Sequence, residues 1–153
     1  MPEVSKHPAY EDGQIHSIVE ERRRVLREIA LRRGQVQFRR RLVRRYGEVC
    51  QVSRCRFLPL IEGAHILPYS RTGDNSVHNG LLLRSDLHTL FDLGFLAVHP
   101  ETLKIALHPA LLHAGYGSFS GAELFLNSTR GPNREGLKRR WDLFQHCLKE
   151  NAP

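Results

Sequence analysis

With 153 residues, 41% of them hydrophobic and 25% charged, the chain has enough apolar material for one real core but not for two. Its 23 Lys+Arg against 16 Asp+Glu give a net charge of +7, an excess that favours polyanions: nucleic acid first, an anionic membrane surface second. No apolar run approaches a membrane span, and the opening MPEVSKHPAY lacks a signal peptide's hydrophobic region, so a soluble, cytoplasmic protein is expected.

Residues 1–13, with Pro2, Pro8 and Gly13, read as a flexible leader, and residues 14–150 as one domain. From Ile15 to Arg33 the apolar positions Ile15, Ile18, Val19, Val25, Leu26 and Ile29 recur at helical spacing. Gly34 interrupts, and a second helix follows through Phe38, Leu42 and Tyr46 until Gly47 stops it. This helical region, 15–46, is basic: between Arg22 and Arg45 lie eleven arginines against one acid, Glu28. Arginines without acidic partners four residues away repel one another, and phosphates would relieve that repulsion, although a solvated helical face has the same composition. Arg40, Arg41, Arg44 and Arg45 are the candidate nucleic-acid contacts.

Cys50, Cys55 and Cys147 make no disulfide framework and suit a reducing compartment. Four residues separate Cys50 from Cys55, which has the look of a zinc knuckle, but a structural zinc site wants four ligands and no second pair exists. Small buried residues beside a turn are the simpler reading.

FLPLIEGAHIL, 57–67, is short, apolar and closed by Pro68, and predicts a strand. The polar loop SRTGDNSVH leads to a second strand, NGLLLR. SDLHTLFDLG predicts a helix, with Ser85 as N-cap, Asp86 in the first turn and Gly94 past the end. A hairpin over 95–108, turning at Pro100-Glu101, and a last helix over 134–149 with Leu137, Trp141, Phe144 and Leu148 complete the chain. The expected fold class is α+β: strand, loop, strand, helix at the centre (57–94), with helices on either side.

His65 lies near the end of the first strand, Asn79 at the start of the second, and His88 and Asp92 one turn apart on one helical face. Taken singly, each has a plainer reading: a strand histidine satisfying a hydrogen bond, an Asn-Gly turn, a surface His–Asp pair. Their joint order and the words around them, EGAHILPY, NGLLLRSDLHTLFDLG and the preceding GQVQFRRRLVRRYGEVC, resemble the HNH nucleases, in particular a restriction-enzyme-like branch, from about Gly34 to Leu112.

That resemblance implies a ββα-metal finger that cleaves DNA, the double-stranded form first, with a divalent ion. It makes His65 the general base, since an imidazole of pKa near 6.5 accepts a proton from water at neutral pH. His88 becomes a metal ligand, and Asn79 the residue that pins the loop and so holds His65. Many members carry an Asp or His ligand immediately before the base, where this chain has Ala64. Asp92 is the preferred replacement. Glu62 is ranked behind it because strand alternation sends Glu62 and His65 to opposite faces unless a bulge intervenes. One imidazole and one carboxylate suit Mg²⁺ or Mn²⁺ first, with Ni²⁺, Co²⁺ or Zn²⁺ behind. Arg84 is a candidate for gripping the scissile phosphate, with a salt bridge to Asp86 as the alternative. His78 could touch a phosphate; His99, His108 and His113 flank turns and read as surface residues. Two rival readings stand beside the nuclease: a non-catalytic DNA-binding module on the same scaffold, and a structural zinc domain using Cys50, Cys55, His65 and His88. A homodimer is left open.

Overall fold

The computed structural model describes residues 12–33, 36–127 and 130–150. The chain divides into two compact units, Met1–Arg32 and Arg33–Pro153. Most of the expected leader and the expected break at Gly34 lie outside the described residues.

In the first unit the described part is one helix, α1 (Asp12–Arg33), which starts two residues inside the expected leader. Its apolar positions Ile15, Ile18, Val19, Val25 and Leu26 are exposed. Its arginines are better partnered than the sequence window from Arg22 onward suggests, because the acids sit just before that window. Arg23 bonds Glu20, and Arg24 bonds both Glu21 and Glu28. These exposed pairs at i,i+3 and i,i+4 each add little to stability.

The second unit is built on α2 (Val36–Tyr46), β1 (Ile61–His65), the single turn α3 (Tyr69–Thr72), β2 (Gly80–Arg84), α4 (Ser85–Asp92), the pair β3 (Leu96–Val98) and β4 (Ile105–Leu107), and α5 (Arg134–Glu150). The mixture of helices with two small sheets is the expected α+β class. The first predicted strand is shorter than expected, because Pro59 takes residues 58–60 into a 3₁₀ turn before β1 begins. Ser85 is the first helical residue of α4, and its predecessor Arg84 holds the cap position without a side-chain bond.

β1 and β2 pair antiparallel in an unbroken register, Ile61 opposite Arg84 and His65 opposite Gly80. Alternation therefore divides the hairpin cleanly. Ile61, Gly63, His65, Gly80 and Leu82 share one face; Glu62, Ala64, Leu81 and Leu83 share the other. Leu81, Leu82 and Leu83 are all fully buried because both faces are covered, which explains an apolar run where a half-exposed strand would alternate. α2 covers the first face with Phe38 and Leu42. α4 covers the second with Leu87 and Phe91, and α5 seals the end of β1 and β3 with Leu137 and Phe144.

Two features of this packing escape a periodicity reading. Gln51 is fully buried: its Oε1 accepts from Leu82 N at 2.8 Å and its Nε2 donates to the Phe125 carbonyl at 3.0 Å. Backbone bonds from Gln51 to Leu82 and from Phe125 to Gln51 run beside them, so this residue joins β2 to the tail segment. Residues 121–124 in turn pair with the outer side of β4. Glycine accounts for the other feature. A Cβ on Gly80 would stand 2.6 Å from Phe38 Cζ and 2.8 Å from Leu42 Cδ2, closer than packed atoms tolerate. Gly80→Ala should therefore cost about 1–3 kcal/mol in thermal or denaturant melting. Gly63→Ala, whose added atom meets the same side chains at 3.2–3.3 Å, should cost less. Equal stability of the Gly80 variant and the wild type would mean that α2 does not sit this close to the hairpin.

Candidate functional site

His65 ends β1 on the face toward α2. Its ring stacks on Phe38 with centroids 3.9 Å apart and planes 3° from parallel, and Tyr69 tilts against it at 5.9 Å. Its Nε2 lies 2.8 Å from Asn75 Oδ1. An amide oxygen only accepts, so Nε2 is the donor in this bond. Among the described residues no hydrogen bond reaches Nδ1.

Asn79 is fully buried, immediately before β2. Its Oδ1 accepts from Leu67 N at 2.8 Å, and its Nδ2 donates to the carbonyls of Leu67 and Asp74, both at 3.0 Å. Backbone bonds from Ile66 N to Asn79 O and from Asn79 N to Ser76 O frame the same region. One side chain thus ties both ends of the loop between the strands.

On the other face stands His88, 3% exposed on α4. Its Nδ1 lies 2.6 Å from Glu62 Oε2, and its Nε2 lies 3.3 Å from Asp92 Oδ2. Alternation holds, no bulge intervenes, and Glu62 does face away from His65. It thereby faces α4, on the same side as Ala64, the position of the missing ligand, and its partner is His88. Asp92 occupies the expected place one turn on, half exposed, with Arg140 Nη2 3.8 Å from its Oδ1.

Arg140, on α5, is a site residue that the sequence reading misses. Its guanidinium is largely buried, bonds the Ile66 carbonyl, reaches the His65 carbonyl at 3.4 Å and lies over the Phe91 ring. Burial pushes its pKa down, and the Asp92 carboxylate works against that shift. Its one signal in the sequence is an arginine next to Trp141 on the apolar side of a late helix. Asn75 has no mark of its own within a polar loop.

Other expected residues go elsewhere. Arg84 forks onto Asp86, Nε to Oδ1 at 2.7 Å and Nη2 to Oδ2 at 2.9 Å, and Tyr116 adds its hydroxyl to the same carboxylate. The Arg84 guanidinium, more than the Tyr116 hydroxyl, holds the Asp86 carboxyl below its usual range. Arg84 is four register positions from the His65 end of the hairpin, roughly 13 Å along the strand, so the salt-bridge alternative describes it better than a phosphate grip beside His65. On α2, Arg40, Arg41 and Arg44 are exposed, whereas Arg45 is partly buried and bonds the carbonyls of Arg130 and Gly131. Its Nη2 is turned toward these two carbonyls.

Cys50 and Cys55 form a turn, in which Cys50 N bonds the Cys55 carbonyl and Cys50 Sγ accepts from Ser53 N and Arg84 N. That puts Cys50 at the Arg84 end of the hairpin, with His65 at the opposite end and His88 across the sheet, which leaves no room for a four-ligand zinc site of these residues. His99 and His108 cap their turns through Nδ1, and His78 and His113 are exposed.

The donor set admits a metal of limited coordination. Among the described residues no cluster of three His, Cys, Asp or Glu side chains could hold an ion. With the Nδ1 proton given to Glu62, however, His88 Nε2 turns a lone pair toward a carboxylate 3.3 Å away. Two electron-rich donors at that spacing need a cation or a second proton between them. A carboxylate behind the histidine and a second carboxylate beside its free nitrogen is a common setting for a metal ligand.

Asn79 offers a direct stability test. Asn79→Ala would leave Leu67 N and two carbonyls without this partner, and should cost about 2 kcal/mol or more in denaturant melting. Hydrogen exchange should quicken at Leu67 first. An exchange pattern and midpoint like the wild type's would show that the loop is held by other means.

No curated protein matches the chain. Residues 50–99, from Cys50 through β1, β2 and α4 to just past β3, match the family model described as HNH endonuclease.

Proposed function

We propose that the protein is a metal-dependent endonuclease that hydrolyses DNA phosphodiester bonds, on a ββα-metal finger formed by β1, β2 and α4. The observation that carries this reading is the division of the hairpin: a histidine with a free Nδ1 on one face and the His88–Asp92 pair on the other. In-line displacement asks for a proton acceptor at the attacking water and a charge stabiliser at the opposite side of phosphorus, and the two groups are of these kinds.

In this reading His65 Nδ1 takes the proton from water, Phe38 keeps the ring from turning, and Asn79 holds the loop. His88 Nε2 and the Asp92 carboxylate would hold the divalent ion, with Glu62 fixing the His88 tautomer from behind. When bound, such an ion offsets the charge that builds on the phosphate oxygens and the departing 3′-oxygen. One imidazole and one carboxylate leave the remaining positions to water and phosphate, which favours Mg²⁺ or Mn²⁺ over Ni²⁺, Co²⁺ or Zn²⁺. The exposed Arg40, Arg41 and Arg44 supply phosphate contacts that are indifferent to base sequence. A second reading, a DNA-binding module without catalysis, is favoured by Ala64 and by Arg140 lying close enough to Asp92 to compete with a cation.

Incubating supercoiled plasmid with the protein and Mg²⁺, Mn²⁺ or EDTA separates these readings: binding without nicking under any condition would leave only the second. His65→Ala should reduce cleavage at least about 100-fold while leaving DNA affinity and melting temperature near those of the wild type. In calorimetric Mn²⁺ titrations His88→Ala should lose binding, and Asp92→Asn should weaken it through loss of a charge. Glu62→Gln should weaken it by about 10- to 100-fold. Unchanged affinity in all three would remove the metal from this site. Neutralising Arg40, Arg41 and Arg44 together should flatten the slope of log affinity against log salt by about 2–3, near one for each phosphate that an arginine no longer neutralises. An unaltered slope would make these arginines a solvated face.

A further inference from the structure

We propose that Asn75 is a positioning residue for the base, selecting the His65 tautomer that leaves Nδ1 free for the attacking water. The proposal rests on the nuclease reading above and adds to it a residue that neither the motif nor the family match singles out.

The local bonding fixes Asn75 before its side chain makes any contact. On one side Asp74 is tied by Asn79 Nδ2 through its carbonyl. On the other, Ser76 N donates to Asp74 Oδ1 at 2.8 Å, and the Ser76 carbonyl accepts from Asn79 N at 3.0 Å. The loop closes ahead of it where Gly73, at φ +64°, ends α3 with a bond to the Tyr69 carbonyl. Asn75 is thus bracketed by bonds within a tethered turn, and its Oδ1 meets His65 Nε2 at 2.8 Å. Phe38 stacked on the ring fixes the plane, and Asn75 fixes which nitrogen in that plane is protonated.

A neutral amide suits this task better than a carboxylate. It selects the tautomer without adding a negative charge that would favour the imidazolium, and an imidazolium cannot accept a proton. The other polar groups around the ring are few. The Asp74 carboxylate, held below its usual range chiefly by the Ser76 backbone N–H, interacts with His65 and His78 through space. Arg140 reaches only the His65 carbonyl, and Tyr69 presents its ring. The plainer account is a polar side chain that closes a turn; it predicts a small loss of stability and no effect on the tautomer.

The test uses the full chain, long-range ¹H–¹⁵N spectra of the His65 ring, and cleavage kinetics on duplex DNA at saturating Mg²⁺ across pH. In the wild type Nε2 should carry the proton. Asn75→Ala should give a mixture of tautomers and lower kcat roughly 10- to 100-fold, with KM and Mg²⁺ dependence unchanged. Asn75→Asp should restore the tautomer and much of kcat, and should move the acid limb of the pH profile upward, because the added charge keeps His65 protonated to higher pH. An alanine variant that keeps either the wild-type tautomer or the wild-type kcat overturns the role. So does a rate loss that merely follows a fall in melting temperature. A wild-type protein inert with Mg²⁺ and Mn²⁺ at every pH would instead sink the nuclease reading, and the role with it, even where the alanine variant shifts the tautomer.

Discussion

Asn79 is the residue on which the rest of the candidate site depends. Its amide has one acceptor and two donor hydrogens, and all three capacities are used on backbone atoms of the loop between β1 and β2. Fully buried, it could not leave those atoms to water, so the loop's path between β1 and β2 is specified by the requirement that they be satisfied. From that path follows the position of Asp74, from Asp74 that of Asn75, and from Asn75 the hydrogen bond at His65 Nε2. The asparagine named in the motif therefore stands at two removes from the His65 ring.

The hairpin supplies the second constraint. Because its register is unbroken, each residue's face is decided by counting, and the two histidines of the motif fall on opposite sides of a sheet one residue thick. Each face then brings its own chemistry. Toward α2 the surroundings are aromatic and apolar, and the imidazole is held by stacking and a neutral amide. Toward α4 they are acidic, and the imidazole is held between two carboxylates. The same side chain type is thus placed in two different settings, one aromatic with a neutral amide and one between two carboxylates.

Much of this is legible in the sequence, for reasons that can be named. Leu81 to Leu83 announce a strand covered on both sides, the fours spacing of Phe38, Leu42 and Tyr46 gives α2 its buried stripe, and Gly47 and Gly94 end their helices at positive φ. The relation of His88 to Asp92 follows from helical geometry alone. The partner of Glu62 cannot be found by testing its face against His65, because the element that decides it, α4, lies across the sheet. Arg45, Gln51, Asn75 and Arg140 are out of reach for a different reason. Each is defined by a partner far away in the chain or by a loop's three-dimensional path, and periodicity carries no information about either. A long basic side chain reads the same whether it faces water, as Arg44 does, or closes on two carbonyls, as Arg45 does.

The family match covers residues 50–99, which contain His65, Asn79, His88 and Asp92 along with Glu62 and Asn75. Two side chains that touch them come from outside it. Phe38, from α2, supplies the plane on which His65 rests, and it can approach because Gly63 and Gly80 leave the hairpin bare at that point. Arg140, from α5, spans the carbonyls at the end of β1 and the carboxylate of Asp92, so a single cation ties the strand that carries one histidine to the helix that carries the other. The matched segment holds the groups that would react, while their mutual orientation is set from both sides of it. A stretch cut to the motif would keep every titratable residue named here except Arg140, and would lose what fixes the two rings relative to one another. Orientation of that kind is worth as much to a hydrolytic site as the identity of its base.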